Sequence, residues 1–321
     1  MALPLGTSFL GTVNAYLVED EHGVAIVDCG LGTDETWELL NRGLDELDIP
    51  IGHINRVLLT HAHHDHSGLA ERIAAESGAT IWAHKRDLDF FHRRYVDAAR
   101  FHDQMRDWLC DQGTPAEEAA PLASKTDIPP MRTSELIEQA QTYGQDDRIE
   151  IGPYAFDVVW TPGHTPGHVC FVDAERSTVL CGDHILPSVS PNVGLHPDTA
   201  LNPLPGYLAS LAEFAESSFT VTLPGHGEPL FDIQSRARAL RAHQLERRER
   251  VLNILSSDDL TPYQIGERLW ADTKPMSWLD FKGHLRRNAI ATLVAHLEML
   301  REEGRVGRSD EAPYRYWREE P

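Results

Sequence analysis

Residues 60–68 read Thr60-His61-Ala62-His63-His64-Asp65-His66-Ser67-Gly68. Four imidazoles and one carboxylate fall within positions 61–66, directly after the apolar run 54–59. Crowding these groups together is costly unless a cation takes up their lone pairs. Imidazole suits zinc and iron, and a carboxylate adds a hard oxygen. Alternate side chains of a loop face one centre and the next pair faces another. His61 and His63 can therefore serve one cation, with Asp65 and His66 serving a neighbour, while His64 points away.

Upstream of this loop, 12–18 and 24–27 are β-rich runs separated by the polar turn 19–23. Trp37, Leu39, Leu40, Leu44 and Leu47 recur near helical spacing over 34–47. Downstream, 69–77 predicts a helix stopped by Gly78, and 79–83 another strand. This β-α-β alternation indicates the α/β class. Residues 85–147 break the rhythm, with Phe90, Phe91, Tyr95, Phe101, Met105, Trp108 and Leu109 at helical spacing and Pro115, Pro121, Pro129 and Pro130 as punctuation. They predict a helical insertion whose aromatics pack on the parent sheet or line a lid. Strands resume at 148–151, 154–160, 169–172, 178–180 and 219–223, with a helix over 203–216.

Three further fragments follow predicted strands: Thr161-Pro-Gly-His164-Thr-Pro-Gly-His168, Cys181-Gly-Asp183 and Pro224-Gly-His226-Gly. Loops at strand ends are where a rigid scaffold carries its reactive groups. Asp28, closing the 24–27 strand, and His168 and His184, which flank candidate donors, are placed to orient a ligand or meet substrate. His22, His53, His243 and His296 read as surface residues.

The 321-residue chain carries 29 basic and 50 acidic residues, a net charge of −21. The excess is uneven: 1–232 hold 13 basic and 36 acidic residues, 233–321 hold 16 and 14. An acidic chain of this kind argues against a nucleic-acid partner. The shift predicts a domain boundary at 232/233. Beyond it, 233–255, 261–270 and 280–303 read as helices, the second opened by Thr261-Pro262, and 305–308 with 314–317 as a hairpin. Three helices and a hairpin resemble a winged-helix module, which packs on the first domain or forms a homodimer. No run of about 18 apolar residues spans a membrane, and the first residues lack a signal-peptide pattern, so a cytoplasmic protein is expected. Cys29, Cys110, Cys170 and Cys181 form no C-x-x-C pair and read as reduced thiols.

In this order the motifs resemble the metallo-β-lactamase-fold superfamily, whose H-x-H-x-D-H signature is complete at His61, His63, Asp65 and His66. The resemblance covers 1–232, with 85–147 as its least covered part. It implies a four-layer αββα sandwich with a helical insertion and two divalent metal ions at one edge. Zinc is the first expectation, with iron or manganese as alternatives. By the same resemblance His61, His63 and His164 bind one ion, Asp65, His66 and His226 bind the other, and Asp183 bridges both. Asp183 and Asp65 are then the catalytic carboxylates. Two ions about 3.5–4 Å apart hold a hydroxide for attack on a carbonyl, and Asp65 takes up its proton. No G-x-S-x-G nucleophile motif is present. The double Thr-Pro-Gly-His turn looks like the glyoxalase II and thioesterase branch. Asp183, however, is followed by His184-Ile-Leu-Pro, without the lysine that branch uses for glutathione. The plan is similar to β-lactamase-like hydrolases with a winged-helix-like tail. The expected substrate is a small acyl molecule: a thioester, ester or lactone. RNA or another phosphodiester, and a metal-binding sensor module with little turnover, are the alternatives.

Overall fold

The computed structural model describes residues 1–6, 10–124, 140–144, 147–255, 258–273 and 276–319. Two compact units emerge. One comprises Met1–Val96, Ile128–Pro191 and Ser210–Arg238, the other Asp97–Asp127, Asn192–Ala209 and Ala239–Pro321.

The first unit contains two five-stranded sheets. One has the order β3 (Tyr16–Asp20), β4 (Gly23–Val27), β5 (Ile54–Leu58), β6 (Thr80–His84), β7 (Gln141–Tyr143). The second has the order β12 (Val221–Pro224), β11 (Thr178–Gly182), β10 (Val169–Asp173), β9 (Tyr154–Trp160), β8 (Arg148–Ile151). A hairpin of β1 (Ala2–Pro4) and β2 (Thr12–Asn14) precedes them. β4, β5, β6 and β7 run parallel, as do β11 and β12.

The period-2 alternation of β4 explains the layering. Val24 and Ile26 face one cluster, with Leu40 and Leu44 of α1 (Asp34–Glu46) and Ile73 of α3 (Ala70–Ser77). Ala25 and Val27 face the other, against Phe156, Val158 and Phe171 of the second sheet. A strand buried on both faces has no polar side to show, which is why β4 reads as a continuous apolar run. Over the second sheet, Phe214 sets its ring against His184 and Phe219. The layers are helix, sheet, sheet, helix, the αββα sandwich that the motifs imply.

Several strands end at one edge with a donor next in the chain. β4 runs into Asp28, β5 into the His61 loop, β9 into the Thr161–His168 turn, β11 into Asp183 and β12 into the His226 turn.

The segment 85–147 departs from its expected form. α4 (Lys85–Phe91) belongs to the first unit, with Phe90 and Phe91 in the α1–α3 cluster and Tyr95 packed on it. β7 adds an edge strand to the first sheet. Among the described residues of the segment, α5 (Ala98–Asp111) and α6 (Ala116–Ala123) are the helices that fall in the second unit. The expected turn at Pro129 and Pro130 lies outside the described residues. The expected 12–18 strand divides at the fully buried Ala15 into β2 and β3.

In the second unit Phe101, Met105 and Leu109 of α5 and Ala119 and Leu122 of α6 pack with Tyr263 of α9 (Pro262–Leu269) and Ile290 and Val294 of α10 (His284–Glu302). α7 (Pro203–Ala215) and α8 (Ile233–Ile254) each contribute residues to both units. Thr261 caps α9 in a capping box with Gln264, and Pro262 sits in the first turn. The hairpin of β13 (Val306–Arg308) and β14 (Tyr316–Arg318) closes the chain. His296 corrects the surface reading: it is 1 % exposed on α10, with Nε2 3.2 Å from Gln244 Oε1. No helix among the described residues is long and apolar enough to cross a membrane.

Candidate metal centre

α2 (His64–Ser67) is a single turn, and its short length leaves His61 and His63 in the extended segment ahead of it. Among the described residues three trios of candidate donors form at this edge; one, Asp28 with His61 and His66, shares its histidines with the other two. Of those two, His61, His63 and His164 compose one, and Asp65, His66 and His226 the other, each with donor atoms within 4.8 Å of one another. His64 belongs to neither. Asp183 lies between them. Its Oδ2 is 3.3 Å from His164 Nε2, while its Oδ1 is 3.4 Å from His226 Nε2 and 3.5 Å from His66 Nε2.

In three of the rings the far nitrogen is engaged, which fixes the nitrogen each presents to the centre. His66 Nδ1 donates to Asp28 Oδ2 at 2.8 Å, and His226 Nδ1 donates to the Thr12 carbonyl at 2.6 Å. His61 Nδ1 is 3.0 Å from Thr60 Oγ1. Asp28 also accepts from the Thr60 amide at 2.9 Å and its hydroxyl at 2.8 Å. Asp28 sits at φ 56, a conformation costly for a residue with a side chain, and these bonds hold it there. The His226 turn is pinned by Asn14 Nδ2 to the Pro224 and Gly227 carbonyls, and by Tyr16 Oη to the Pro224 carbonyl at 2.7 Å.

His168 stands behind the centre. Its Nδ1 is 2.8 Å from Thr161 Oγ1, and its Nε2 accepts from the Asp183 amide at 3.1 Å. It therefore orients Asp183 through the backbone. A Cβ at Gly182, which has φ +47, would stand 2.6 Å from Thr60 Oγ1 and 2.8 Å from His168 Nε2. The strand can deliver Asp183 only with glycine there. His184 is fully buried, with Nε2 3.1 Å from Ser210 Oγ and its ring against Phe214.

The sequence reading missed Asp87. Its carboxylate is fully buried and accepts from the amides of Ala62 and Gly167 and from the Thr165 hydroxyl. A lone aspartate in the first turn of a helix reads as a dipole-compensating carboxylate. Its partners are two amides and a hydroxyl in distant loops, which leave no motif. Phe90 turns its ring edge toward His63, with centroids 6.0 Å apart.

The donor set fits divalent cations. His61 Nε2 and Asp183 Oδ1 are buried without a hydrogen-bond partner. His66 Nε2 and His226 Nε2 face each other at 3.2 Å, although both rings already spend their Nδ1 protons elsewhere. Two lone pairs so placed repel unless a proton or a cation stands between them. Nitrogens bound to one tetrahedral ion at about 2.0–2.1 Å would sit close to this spacing.

The electrostatics separate the trios. Burial and neighbouring imidazoles hold His61 and His63 well below the ordinary histidine range. Burial also pulls His66 down, but the carboxylates of Asp183, Asp28 and Asp65 override it and hold the ring up at about 10. His226 is raised the same way, Asp183 outweighing burial. Burial pushes the Asp183 carboxyl up, yet His226, His66 and His164 bring it well below the usual carboxylate range.

Comparison with known proteins agrees with this geometry. The sequence profile of the metallo-beta-lactamase superfamily matches residues 9–226. A metallo-beta-lactamase family protein from Thermus thermophilus superposes with a TM-score of 0.81 at 32 % identity, over 99 % of this chain and 97 % of that one. The probable metallo-hydrolase YqjP of Bacillus subtilis is 25 % identical over 84 % of this chain and 84 % of its own. The thioesterase pkgB of Emericella nidulans is 24 % identical over 78 % of this chain and 56 % of its own. The profile spans well over half of the sequence, and the donor loops fall inside it or at its last residue. The chain therefore belongs to the metallo-β-lactamase superfamily.

Proposed function

We propose that the protein is a dinuclear metal-dependent hydrolase of a small thioester, ester or lactone, with zinc as the first candidate ion. The observation that carries this reading is Asp183, whose two oxygens each face a different trio. A pair of divalent ions held there supplies Lewis acidity to a carbonyl oxygen and lowers the pKa of water toward 7.

The chain's own residues do the rest. His61 Nε2, His63 Nδ1 and His164 Nε2 form an all-imidazole face, and Asp65, His66 Nε2 and His226 Nε2 form a face with a carboxylate. Asp65 is the more open of the two carboxylates, 18 % exposed at the side chain against 6 % for Asp183, and receives a proton from the attacking water. Asp183 stays ionised, as its depressed carboxyl requires, and holds the trios in register. The buried cysteines do not compete as nucleophiles: burial pushes the Cys29, Cys170 and Cys181 thiols up, Cys170 to about 12.

An acyl substrate is favoured over RNA because residues 1–232, which carry all the donors, hold 36 acidic against 13 basic residues. The similarity to a relative named as a thioesterase points the same way. The test is a panel of acyl thioesters, esters, lactones and a phosphodiester with zinc-loaded protein, and Asp183→Asn as the blank. Hydrolysis of one acyl class, lost in the variant, supports the reading. Turnover of the phosphodiester alone overturns the substrate class, and full activity in Asp183→Asn overturns the mechanism.

A further inference from the structure

We infer that Asp87 is a positioning residue for the His61, His63 and His164 half of the centre, its carboxylate tying the loop that carries His61 and His63 to the turn that carries His164. The inference rests on the metal-centre reading and adds to it a residue that touches none of the donor nitrogens.

Asp87 Oδ2 accepts from the Ala62 amide at 2.8 Å and from Thr165 Oγ1 at 2.7 Å, and Oδ1 accepts from the Gly167 amide. Ala62 stands between His61 and His63, and Thr165 follows His164 directly. The donors lie 25, 78 and 80 residues away in the chain. One carboxylate thus joins the backbones of both segments that supply the all-histidine trio. The Asp65, His66 and His226 trio is supported elsewhere, by Asp28 on the His66 ring and by Thr12, Asn14 and Tyr16 on the His226 turn.

Packing does not explain a charge at this position. Leu88, Phe90 and Phe91 on the same helix all join the apolar cluster, and burial pushes the Asp87 carboxyl up to about 6 against the pull of its three donors. An isolated buried carboxylate is costly, so its value lies in the bonds it makes. Only an ionised carboxylate offers acceptors to three donors arriving from two sides, since asparagine has a single acceptor oxygen and would turn an N–H toward one of them. Gly167 is the second sign of a built junction. A Cβ there would stand 2.6 Å from the Asp87 amide nitrogen and 2.8 Å from Oδ1, so the turn reaches the carboxylate only because it lacks a side chain.

The test measures ion binding rather than turnover. Full-length protein, Asp87→Asn, Asp87→Ala and Leu88→Ala are equilibrated in zinc buffered by a chelator, and bound zinc is counted by mass spectrometry. Cobalt substitution then reports, through its visible absorption, which half has lost its ion. Leu88→Ala loosens the same helix without touching the carboxylate. The expected result is that one of two ions weakens on the order of 10- to 100-fold in both Asp87 variants. The cobalt band lost is that of the all-histidine half, and Leu88→Ala keeps both ions whatever its melting temperature.

Thr165→Val removes one of the three donors and leaves the carboxylate, so it is the variant to read if the Asp87 variants do not fold. It is expected to weaken the same ion several-fold, and unchanged binding there overturns the inference. So does Asp87→Asn with both ions at parental affinity, or Leu88→Ala losing the same ion to the same extent. A parent protein that takes up no ion defeats the metal-centre reading itself. A parent and an Asp87→Asn variant that both hold two ions defeat only the role of Asp87.

Discussion

The two halves of the donor cluster are built from nearly the same residue types and behave oppositely. His61 and His63, buried among other imidazoles, are held neutral. His66 and His226, equally close together, are backed by carboxylates that raise both rings, His66 to about 10. The support differs as well. Asp28 touches the His66 ring itself, whereas Asp87 reaches His61, His63 and His164 only through the segments that carry them. Neutral imidazoles are ready ligands. Protonated ones must first give up a proton, so the all-histidine half is expected to take an ion more readily at neutral pH and the carboxylate-backed half to become competitive as the pH rises.

The sharpest way to break this comparison is to remove the group both halves share. Asp183→Asn is expected to lower turnover by at least about 100-fold and to weaken both ions, since losing a group that only supports a ligand already costs on the order of 10- to 100-fold. Steady-state kinetics with zinc titration reads both effects. Next in size, Asp28→Asn should weaken the carboxylate-backed ion by on the order of 10- to 100-fold, and the other less, because Asp28 reaches His61 only through Thr60. Ion counting that shows both halves equally affected would remove the distinction.

Protons give a third handle. The metal-free fold holds His66 up at about 10 from an ordinary 6.5, so it keeps a proton that the unfolded chain releases near 6.5. Stability from that proton is fully present below pH about 6.5 and is lost as the pH climbs to about 10. Zinc added to metal-free protein at pH 8 should accordingly release protons, read with an indicator dye in weak buffer. Zinc uptake without proton release would contradict the raised His66. The smallest effect is expected from Gly167→Ala, which crowds the Asp87 junction. It should cost about 1–3 kcal/mol in denaturant unfolding, with ion loss confined to the all-histidine half.

The sequence made the candidate donors legible and left their supports dark. His61, His63, Asp65 and His66 sit in one loop, and His164, Asp183 and His226 each follow a strand end, so spacing and order reveal them. The strands at Arg148–Ile151 and Tyr154–Trp160 were readable to the residue, because alternation over a half-buried face is a local signal. Asp87 was not, because its bonds run to two amides and a hydroxyl far along the chain. β7 was not either: Gln141–Tyr143 is too short to show a period, and the sheet edge that receives it is made 57 or more residues earlier. His296 misled for a related reason. Its side chain is polar, yet the run Ala289–Leu297 around it is apolar and buried, and Gln244 from another helix supplies the partner that a buried imidazole needs.

The hairpin at the start of the chain has a consequence for synthesis. The Thr12 carbonyl meets the ring of a residue 214 positions later, and Asn14 and Tyr16 clasp the turn around it. A chain emerging from the ribosome can present His61, His63 and Asp65 early, but the pocket closes only after residue 226 has left the exit tunnel and returned to the first strands. Long-range closure of this kind is slow compared with local helix formation. Any ion of the carboxylate-backed half would therefore be captured late, after His226 has returned, whereas the His61, His63 and His164 trio is complete in sequence by residue 164.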